Sequence, residues 1–270
     1  MTMAYAEVIG DPVAHSKSPL IHNFWLERLG IEAEYRACQV LPDGLGDYFS
    51  QRRKDANWRG CNVTIPHKIA VMDHVSDPGG VRTTIGAMNT IAHGPDAMLF
   101  GTNTDAAGFL GPILDAPLEG APVIVIGSGG AANAILFALA QIEAGPVTIL
   151  ARNALKGASL LARFGLKGQV KPLGAVLPPA ALLVNASPLG MKGQPQLDLD
   201  LSPLPEDAIV YDIVYAPLET GLLKAARARG LETVDGLEML VGQAALAFEL
   251  FFDIAPPDGC DEELRALLTQ

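Results

Sequence analysis

The sequence predicts an α/β protein of two lobes with a cleft between them. Strand-like apolar runs alternate with helical patterns, which is typical of parallel sheets covered on both faces by helices. The alternation occurs twice, before and after residue 105, and 270 residues are enough for one large domain or two modest ones. Hydrophobic residues make up 49% of the chain and charged residues 18%, so the composition supports a sizeable core.

The first lobe is predicted to contain three strands and two helices. The strands are the apolar runs AYAEVIG from residue 4, EYRACQV from residue 34 and GCNVTI from residue 60. Amphipathic segments at 19–29 and 45–54 lie between them and are predicted helices. This alternation of strand and helix indicates a parallel sheet.

The second lobe is predicted to repeat this arrangement with four strands. They are VIVIG from residue 123, VTILA from 147, ALLVNAS from 181 and IVYDIVY from 209. Helices are predicted near 131–142, 155–163 and 218–229. A last strong helical pattern at 238–252 follows this set and could cover either lobe.

Charge and cysteine content exclude several classes of protein. The formal net charge is −11, which argues against binding of nucleic acid or an anionic membrane by the whole surface. Cys38, Cys61 and Cys260 lie far apart without a CxxC pair, unlike a disulfide framework or a zinc site. No residue spacing resembles a metal site, and because the N-terminus has neither a basic nor an apolar signal region, we expect no signal peptide. We therefore expect a cytoplasmic monomer or homodimer whose partner is a small molecule.

One uncharged stretch, residues 121–142, is long enough to span a bilayer. It contains Pro122 and a run of glycines at its middle, and these would break a helix that faces lipid. A buried strand, a tight turn and a buried helix explain the stretch better, so we expect a soluble protein.

The glycine-rich turn within that stretch predicts a dinucleotide site. Residues 127–132 read GSGGAA, a GxGxxA pattern between a strand and a helix. Gly127 permits the tight turn, Gly129 lets the backbone approach a pyrophosphate, and Ala132 lets the helix pack closely on the strand. An ordinary glycine-rich turn is the alternative. The flanking strand and helix, with a second strand at 147–150, favour a doubly wound, Rossmann-type nucleotide domain.

The end of the second strand of this lobe indicates which dinucleotide is bound. A carboxylate about 20 residues after the glycine pattern would bind a ribose 2′-hydroxyl and favour NAD. The chain instead has Arg152, Asn153 and Lys156 there and no acid. Arg152 can stack on adenine and hold a 2′-phosphate, with Lys156 as a second cation. Two solvated basic residues are the alternative, but beside the glycine pattern they favour NADP.

Several separated motifs resemble those of one enzyme family. They are GDPVAHSKSP at 10–19, GCNVTIPHK at 60–68, GAMNT at 86–90, GTNTDAAG at 101–108, NASPLGM at 185–191, YDIVY at 211–215 and GLEMLVGQA at 236–244. In these motifs, and in their order from end to end, the sequence resembles the shikimate dehydrogenase family. The resemblance implies NADPH-linked reduction of 3-dehydroshikimate to shikimate, a step towards chorismate and the aromatic amino acids. It also implies a substrate-binding catalytic domain of residues 1–103 plus 237–270 and an NADP-binding domain of residues 104–236.

The resemblance further implies a role for each matching residue. Ser16 and Ser18 would hold the substrate carboxylate, and Lys68 and Asp105 would be the reactive pair. The ring oxygens would be bound by Thr64, Asn89 and Gln243, and Tyr215 would line the substrate site near the nicotinamide. The expected cofactor contacts are Gly127, Ser128, Gly129, Gly130, Ala131, Arg152, Asn153, Lys156, Ser187, Ile213 and Gly236.

Reduction of a ketone by hydride requires the same residue types, independently of the resemblance. Hydride delivery to a ketone creates an alkoxide, which needs a cation or a proton at its oxygen. A lysine can stabilise that charge and donate the proton, while a carboxylate nearby orients the lysine. A small anionic polyol needs short hydroxyl and amide groups, because an unpaired buried hydroxyl costs specificity.

Each of these residue types also has a simpler interpretation. Asp105 is well placed to cap the helix that follows it. His15 and His22 could act as bases, but we expect His15 only to shape the loop beside Ser16 and give neither a catalytic role. Cys61 has no visible base in its surroundings and is expected to be a small buried packing residue.

Three rival functions are weaker. A quinate/shikimate dehydrogenase that uses NAD is disfavoured by the missing acid after Leu150 and by the intact pair Ser16 and Ser18. A non-catalytic sensor of shikimate-pathway metabolites would have no need of Lys68 and Asp105. A methylenetetrahydrofolate dehydrogenase would require aromatic stacking, and aromatic residues are only 6% of this chain.

Overall fold

Two β-sheets organise the chain, one in each of two units. The computed structural model describes residues 3–94 and 98–270. The first unit contains the described residues up to Thr104 together with Val241–Gln270, and the second unit is Asp105–Leu240. These divisions fall one and four residues after the sequence-based boundaries at 103/104 and 236/237.

The sheet of the first unit is mixed rather than wholly parallel. Its strands are β1 (Ala4–Gly10), β2 (Ala33–Gln39), β3 (Trp58–Val63), β4 (Thr90–His93) and β5 (Leu99–Thr102). They lie in the order β2-β1-β3-β4-β5, and β1 pairs in parallel with both β2 and β3. The three predicted strands are confirmed.

The prediction of parallel pairing throughout this half is wrong for β4 and β5. Both strands were absent from the sequence prediction, and β4 pairs antiparallel with β3 and with β5. They read TIAH and LFGT, in which polar residues interrupt the apolar run. The link from His93 to Leu99 is too short for the crossover that parallel strands require.

The second unit contains a six-stranded parallel sheet. Its strands are β6 (Val123–Ile126), β7 (Val147–Leu150), β8 (Gly168–Lys171), β9 (Leu182–Asn185), β10 (Ile209–Asp212) and β11 (Glu232–Val234). They lie in the order β11-β10-β9-β6-β7-β8. Counted from β6, this is the order 6-5-4-1-2-3 of the Rossmann fold, whose ligands bind where the strand order reverses. The predicted doubly wound arrangement is confirmed.

The four central strands of this sheet were predicted because they are continuous apolar runs. Every residue of β6, β7, β9 and β10 is buried, as expected for strands with both faces covered by helices. The edge strands β8 and β11 were not predicted. They read GQVK and ETV, and their polar residues remain partly or fully exposed.

Nine helices lie among the described residues. They are α1 (Ser18–Leu29), α2 (Leu45–Arg52), α3 (Val81–Thr84), α4 (Asp105–Leu110), α5 (Gly130–Gln141), α6 (Ala154–Arg163), α7 (Gly221–Ala228), α8 (Gly236–Phe252) and α9 (Asp261–Leu268). The first shows how the sequence sets helix ends: Pro19 lies in its first turn, and Gly30 ends it at φ 65°.

Helix α8 belongs to both units along the chain, and its second half packs in the first unit. Phe251 is buried there among Ala6, Val8 and Tyr35. Gly60 on β3 makes this packing possible, because a Cβ atom at Gly60 would lie 2.5 Å from the Phe251 ring. The sequence did not decide which lobe this helix covers. In the structure its second half completes the core of the first unit.

No helix of residues 3–94 and 98–270 combines the length and the apolarity needed to cross a membrane. The uncharged stretch 121–142 contains β6, the glycine turn and α5. This agrees with the strand, turn and helix that the sequence predicts.

Candidate active site

Two serines at the start of α1 form the first part of the candidate substrate site. The Ser16 hydroxyl donates to Ser18 Oγ at 3.2 Å, and the Ser18 backbone N–H donates to Ser16 Oγ at 3.3 Å. Ser18 is buried and is the first residue of a twelve-residue helix. Two hydroxyl groups at a helix N-terminus suit the carboxylate that the resemblance assigns to them.

The Asn89 side chain is the centre of a buried amide and hydroxyl network. Its Nδ2 donates to Thr104 Oγ1 at 2.9 Å and to Gln243 Oε1 at 3.3 Å. Its Oδ1 accepts from the Thr104 backbone N–H at 2.7 Å and from the Thr90 hydroxyl at 3.2 Å. The fold thus brings together Asn89 and Gln243, two predicted substrate ligands that are 154 positions apart.

A second asparagine, Asn62, extends this network along strand β3. Asn62 on β3 donates from Nδ2 to Thr90 Oγ1 at 3.0 Å and accepts from the Tyr35 hydroxyl at 2.7 Å. Sequence reasoning gave no role to Tyr35, Asn62, Thr90 or Thr104. Asn62 carried a signal that could have been used, because it is a polar residue between the apolar Cys61 and Val63 of a predicted strand.

The segment after β3 carries Thr64 and Lys68. The Thr64 backbone N–H donates to the Ile9 carbonyl at 2.9 Å, and the Lys68 carbonyl accepts from the Met88 N–H at 2.8 Å. Both side chains are half-buried. A Cβ atom at Gly10 would lie 2.5 Å from Thr64 Cγ2, so the glycine allows this segment to lie close against the end of β1. Thr64 and Lys68 therefore follow the carboxyl end of β3, and Thr64 lies against the end of the paired strand β1.

Asp105 begins α4 and is 4% exposed. It directly follows Thr104, whose hydroxyl and N–H are both bonded to Asn89. A carboxylate in the first turn also suits the positive end of the helix dipole, so the structural interpretation of Asp105 stands beside the catalytic one.

The glycine turn after β6 has the geometry of a phosphate-binding turn. Gly127 has φ 112°, and a Cβ atom there would lie 2.9 Å from the Ala186 carbonyl oxygen, so glycine is required. At Gly129 an added Cβ would meet no atom within 4 Å. Packing of the protein therefore does not explain Gly129, whereas an approaching pyrophosphate at the N-terminus of α5 does. Ala132 is fully buried, as close packing of helix on strand requires.

The residues after β7 are those predicted to bind the 2′-phosphate of the ribose. Asn153 caps α6 by accepting from the Lys156 backbone N–H at 2.9 Å. The Arg152 and Lys156 side chains are exposed at this end of the sheet. Asn153 therefore has a structural role as well as its expected place at the cofactor, and the two cations lie within one helical turn.

The segments after β9, β10 and β11 carry three more of the expected cofactor contacts, Ser187, Ile213 and Gly236. Asn185 Oδ1 accepts from the Ser187 N–H at 3.1 Å and from the Ser187 hydroxyl at 2.7 Å. A Cβ atom at Gly236 would lie 2.4 Å from the Ile213 carbonyl oxygen, so this glycine allows two chain segments to meet. Tyr215 is half-buried, and burial raises the pKa of its phenol.

Two residues considered as reactive groups are part of the core. His22 is fully buried and its ring stacks on Tyr35 at a centroid distance of 3.9 Å. Neither ring nitrogen has a hydrogen-bond partner among the described residues, and burial lowers the pKa of His22 to about 3. Cys61 is also fully buried, which raises the pKa of its thiol. Among the residues described, no three histidine, cysteine or acidic side chains could together hold a metal ion.

The neutral His22 makes stability depend on pH. Its folded pKa lies below the ordinary 6.5, so unfolding takes up a proton and stability falls as pH falls from about 6.5 towards 3. At pH 5 the loss is about 2 kcal/mol. We expect urea unfolding to show that His22→Gln loses about 2 kcal/mol less stability than the wild type between pH 7.5 and pH 5. The exposed His15 provides the control, His15→Gln, which should behave like the wild type. Equal pH dependence of all three proteins would contradict the assignment.

Family comparisons agree at both ends of the chain. Residues 8–91 match the shikimate dehydrogenase substrate binding domain, and residues 236–263 match the shikimate 5'-dehydrogenase C-terminal domain. A shikimate dehydrogenase (NADP(+)) of Sphingopyxis alaskensis is 67% identical over 264 residues, 98% of this chain and 96% of the relative.

Solved structures extend the likeness to the whole fold. A shikimate 5-dehydrogenase of Thermus thermophilus, in complex with NADP(H) and shikimate, has a TM-score of 0.86 at 37% identity and covers 98% of this chain and 100% of its own. The ligand-free 5-ketofructose reductase of a Gluconobacter species has a TM-score of 0.88 at 28% identity, with 99% and 98% covered. The fold and the glycine turn define a Rossmann-type dinucleotide-binding protein of two α/β units. Within that class, the chain belongs to the shikimate dehydrogenase family.

Proposed function

We propose that this chain is an NADP-dependent oxidoreductase that reversibly reduces 3-dehydroshikimate to shikimate in chorismate biosynthesis. The observation that carries the proposal is the 67% identity, over almost the whole chain, to a shikimate dehydrogenase (NADP(+)). The open position at Gly129 supports a dinucleotide, and the acid-free end of β7 supports NADP as that dinucleotide. NADPH supplies the hydride when it is bound.

Each substrate-facing residue has a role that follows from its chemistry. Ser16 and Ser18 bind the carboxylate, and the amide groups of Asn89 and Gln243 bind ring hydroxyls together with Thr64. Lys68 stabilises the oxygen that gains negative charge and gives it a proton, while Asp105 orients the lysine. The first unit is the substrate domain and the second unit the NADP domain in this proposal.

The cellular setting is part of the same proposal. The enzyme works in the cytoplasm as a monomer or homodimer and needs neither nucleic acid nor a membrane. The net charge of −11 and the three scattered cysteines support this setting.

Initial rates with two substrates and two cofactors test the function. We expect the highest kcat/KM for shikimate with NADP⁺, because the site has no acid for the ribose hydroxyl of NAD⁺. Quinate with NAD⁺ as the better pair would show that the enzyme is a quinate dehydrogenase. Binding of shikimate without any turnover would instead support the sensor.

A further inference from the structure

We propose that Asp212, a buried carboxylate at the end of β10, is a positioning residue that holds the two cofactor-facing segments of the second unit in place. The proposal rests on the proposed function, because it concerns the binding of NADP(H). Asp212 is outside every set of residues that the sequence motifs assign to substrate or cofactor. Its side chain is fully buried, so it acts through its neighbours and not by touching a ligand.

The carboxylate accepts three hydrogen bonds: from the end of β9, from the backbone two residues further along its own segment, and from the start of α7. Oδ1 accepts from Asn185 Nδ2 at 2.8 Å and from the Val214 backbone N–H at 3.1 Å. Oδ2 accepts from the Thr220 hydroxyl at 2.7 Å. Both oxygens therefore accept hydrogen bonds. Oδ1 binds donors at the ends of β9 and β10, and Oδ2 binds the donor at the start of α7.

Two of these segments carry expected ligand contacts. Asn185, held by Asp212, accepts both the N–H and the hydroxyl of Ser187 and donates to the Leu189 carbonyl at 2.9 Å. Val214 lies between Ile213, an expected cofactor contact, and Tyr215, an expected substrate contact. One carboxylate thus fixes the segments that follow two neighbouring parallel strands, where ligands of such sheets bind.

The chemistry of the position also argues against a packing role. The side chains on either side of Asp212 along β10 and β9 are mostly apolar and buried, and an apolar residue would fill the same space without losing hydration. Burial raises the pKa of Asp212, which shows that this environment disfavours the charged form. Three hydrogen bonds offset that cost, since the two carboxylate oxygens together accept from all three donors.

The test compares two substitutions at this position. Asp212→Ala removes all three bonds and should weaken NADP⁺ binding at least about tenfold, while shikimate binding changes less than about twofold. Asp212→Asn should restore NADP⁺ binding to near wild type. Its oxygen can accept from Asn185 and Val214, and its amide can donate to Thr220 Oγ1. Calorimetric titration of each folded protein with NADP⁺ and with shikimate gives both affinities without turnover.

Thr220→Val provides a matched control for lost stability. It removes the cap of α7, where Thr220 Oγ1 accepts from the Leu223 N–H, and one bond to Asp212. It leaves Asn185 and Val214 bonded to Oδ1, so NADP⁺ binding should stay within about threefold of wild type. If Asp212→Ala does not fold, Asn185→Ala replaces it, because this change cuts the link to Ser187 and leaves Asp212 its bonds to Val214 and Thr220.

Two results would overturn the proposal. One is wild-type NADP⁺ affinity in Asp212→Ala, or in Asn185→Ala where that variant replaces it. The other is an equal loss of NADP⁺ and shikimate binding, which would mean a general structural role. Both results come from binding measurements and do not depend on catalysis. The proposed function is instead decided by turnover of shikimate in the wild type, so failure of this proposal and failure of the proposed function are distinguishable.

Discussion

Lys68→Ala is expected to lower kcat by about 10²–10⁴-fold while KM for shikimate changes much less. This is the usual range for loss of a general acid–base group, because the missing interaction forms mainly in the transition state. Rates of shikimate oxidation with saturating NADP⁺ measure the effect. Lys54, an exposed lysine in the same unit, gives the matched control Lys54→Ala, which should keep wild-type kcat.

Asp105→Asn tests the other half of the proposed pair. The substitution keeps the shape of the side chain and removes its charge, so a comparable loss of kcat is expected. Asp115→Asn, at an exposed aspartate ten positions along the chain, should have no such effect. A folded Lys68→Ala or Asp105→Asn protein with wild-type kcat would show that the assigned pair is wrong. A loss of stability without a loss of kcat in Asp105→Asn would favour the helix-dipole interpretation.

Arg152→Ala is expected to weaken NADP⁺ binding by about 10- to 150-fold. A hydrogen bond to a charged group contributes roughly 1.5–3 kcal/mol, and the guanidinium is the strongest donor at the end of β7. NAD⁺ lacks the 2′-phosphate and should lose only the stacking on adenine. The NADP⁺/NAD⁺ ratio of kcat/KM should therefore fall, mainly through KM for NADP⁺, and Lys156→Ala should lower it less.

Two controls distinguish the contact between Arg152 and the 2′-phosphate from the electrostatic field of the whole protein. One varies the salt concentration, and the other replaces a distant arginine. Added salt should weaken NADP⁺ binding in the wild type and less so in Arg152→Ala, because the net charge of −11 offers no other general attraction. Arg163→Ala, at the opposite end of α6, should leave the cofactor ratio unchanged. Equal losses for NAD⁺ and NADP⁺ in Arg152→Ala would mean that Arg152 binds the adenine and not the phosphate.

The limits of prediction from sequence differ between the two sheets. The central strands of the second unit are four-residue cores of continuous apolar runs, and burial on both faces makes such runs recognisable. Edge strands have one unpaired side and less burial, so GQVK and ETV carried no pattern. The antiparallel strands β4 and β5 were missed because polar residues interrupt their apolar runs, and their direction depends on the strands with which they pair.

For the candidate site, local chemistry and tertiary contact contribute different parts. Short stretches of sequence were enough to predict the glycine turn, the missing acid after Leu150 and the motif residues Lys68 and Asp105. Backbone turns and functional side chains in such stretches depend on near neighbours in the chain. The tertiary structure alone decided which polar groups meet: Asn89 with Gln243, Tyr35 with Asn62, and Asp212 with Asn185. These partners are distant in the chain, and a buried polar group is stable only where the fold delivers its hydrogen-bond partner. The tertiary structure also decided the state of His22, which resembles a base in the sequence: its ring is buried against Tyr35, and burial disfavours the charged form, so it is a neutral core residue.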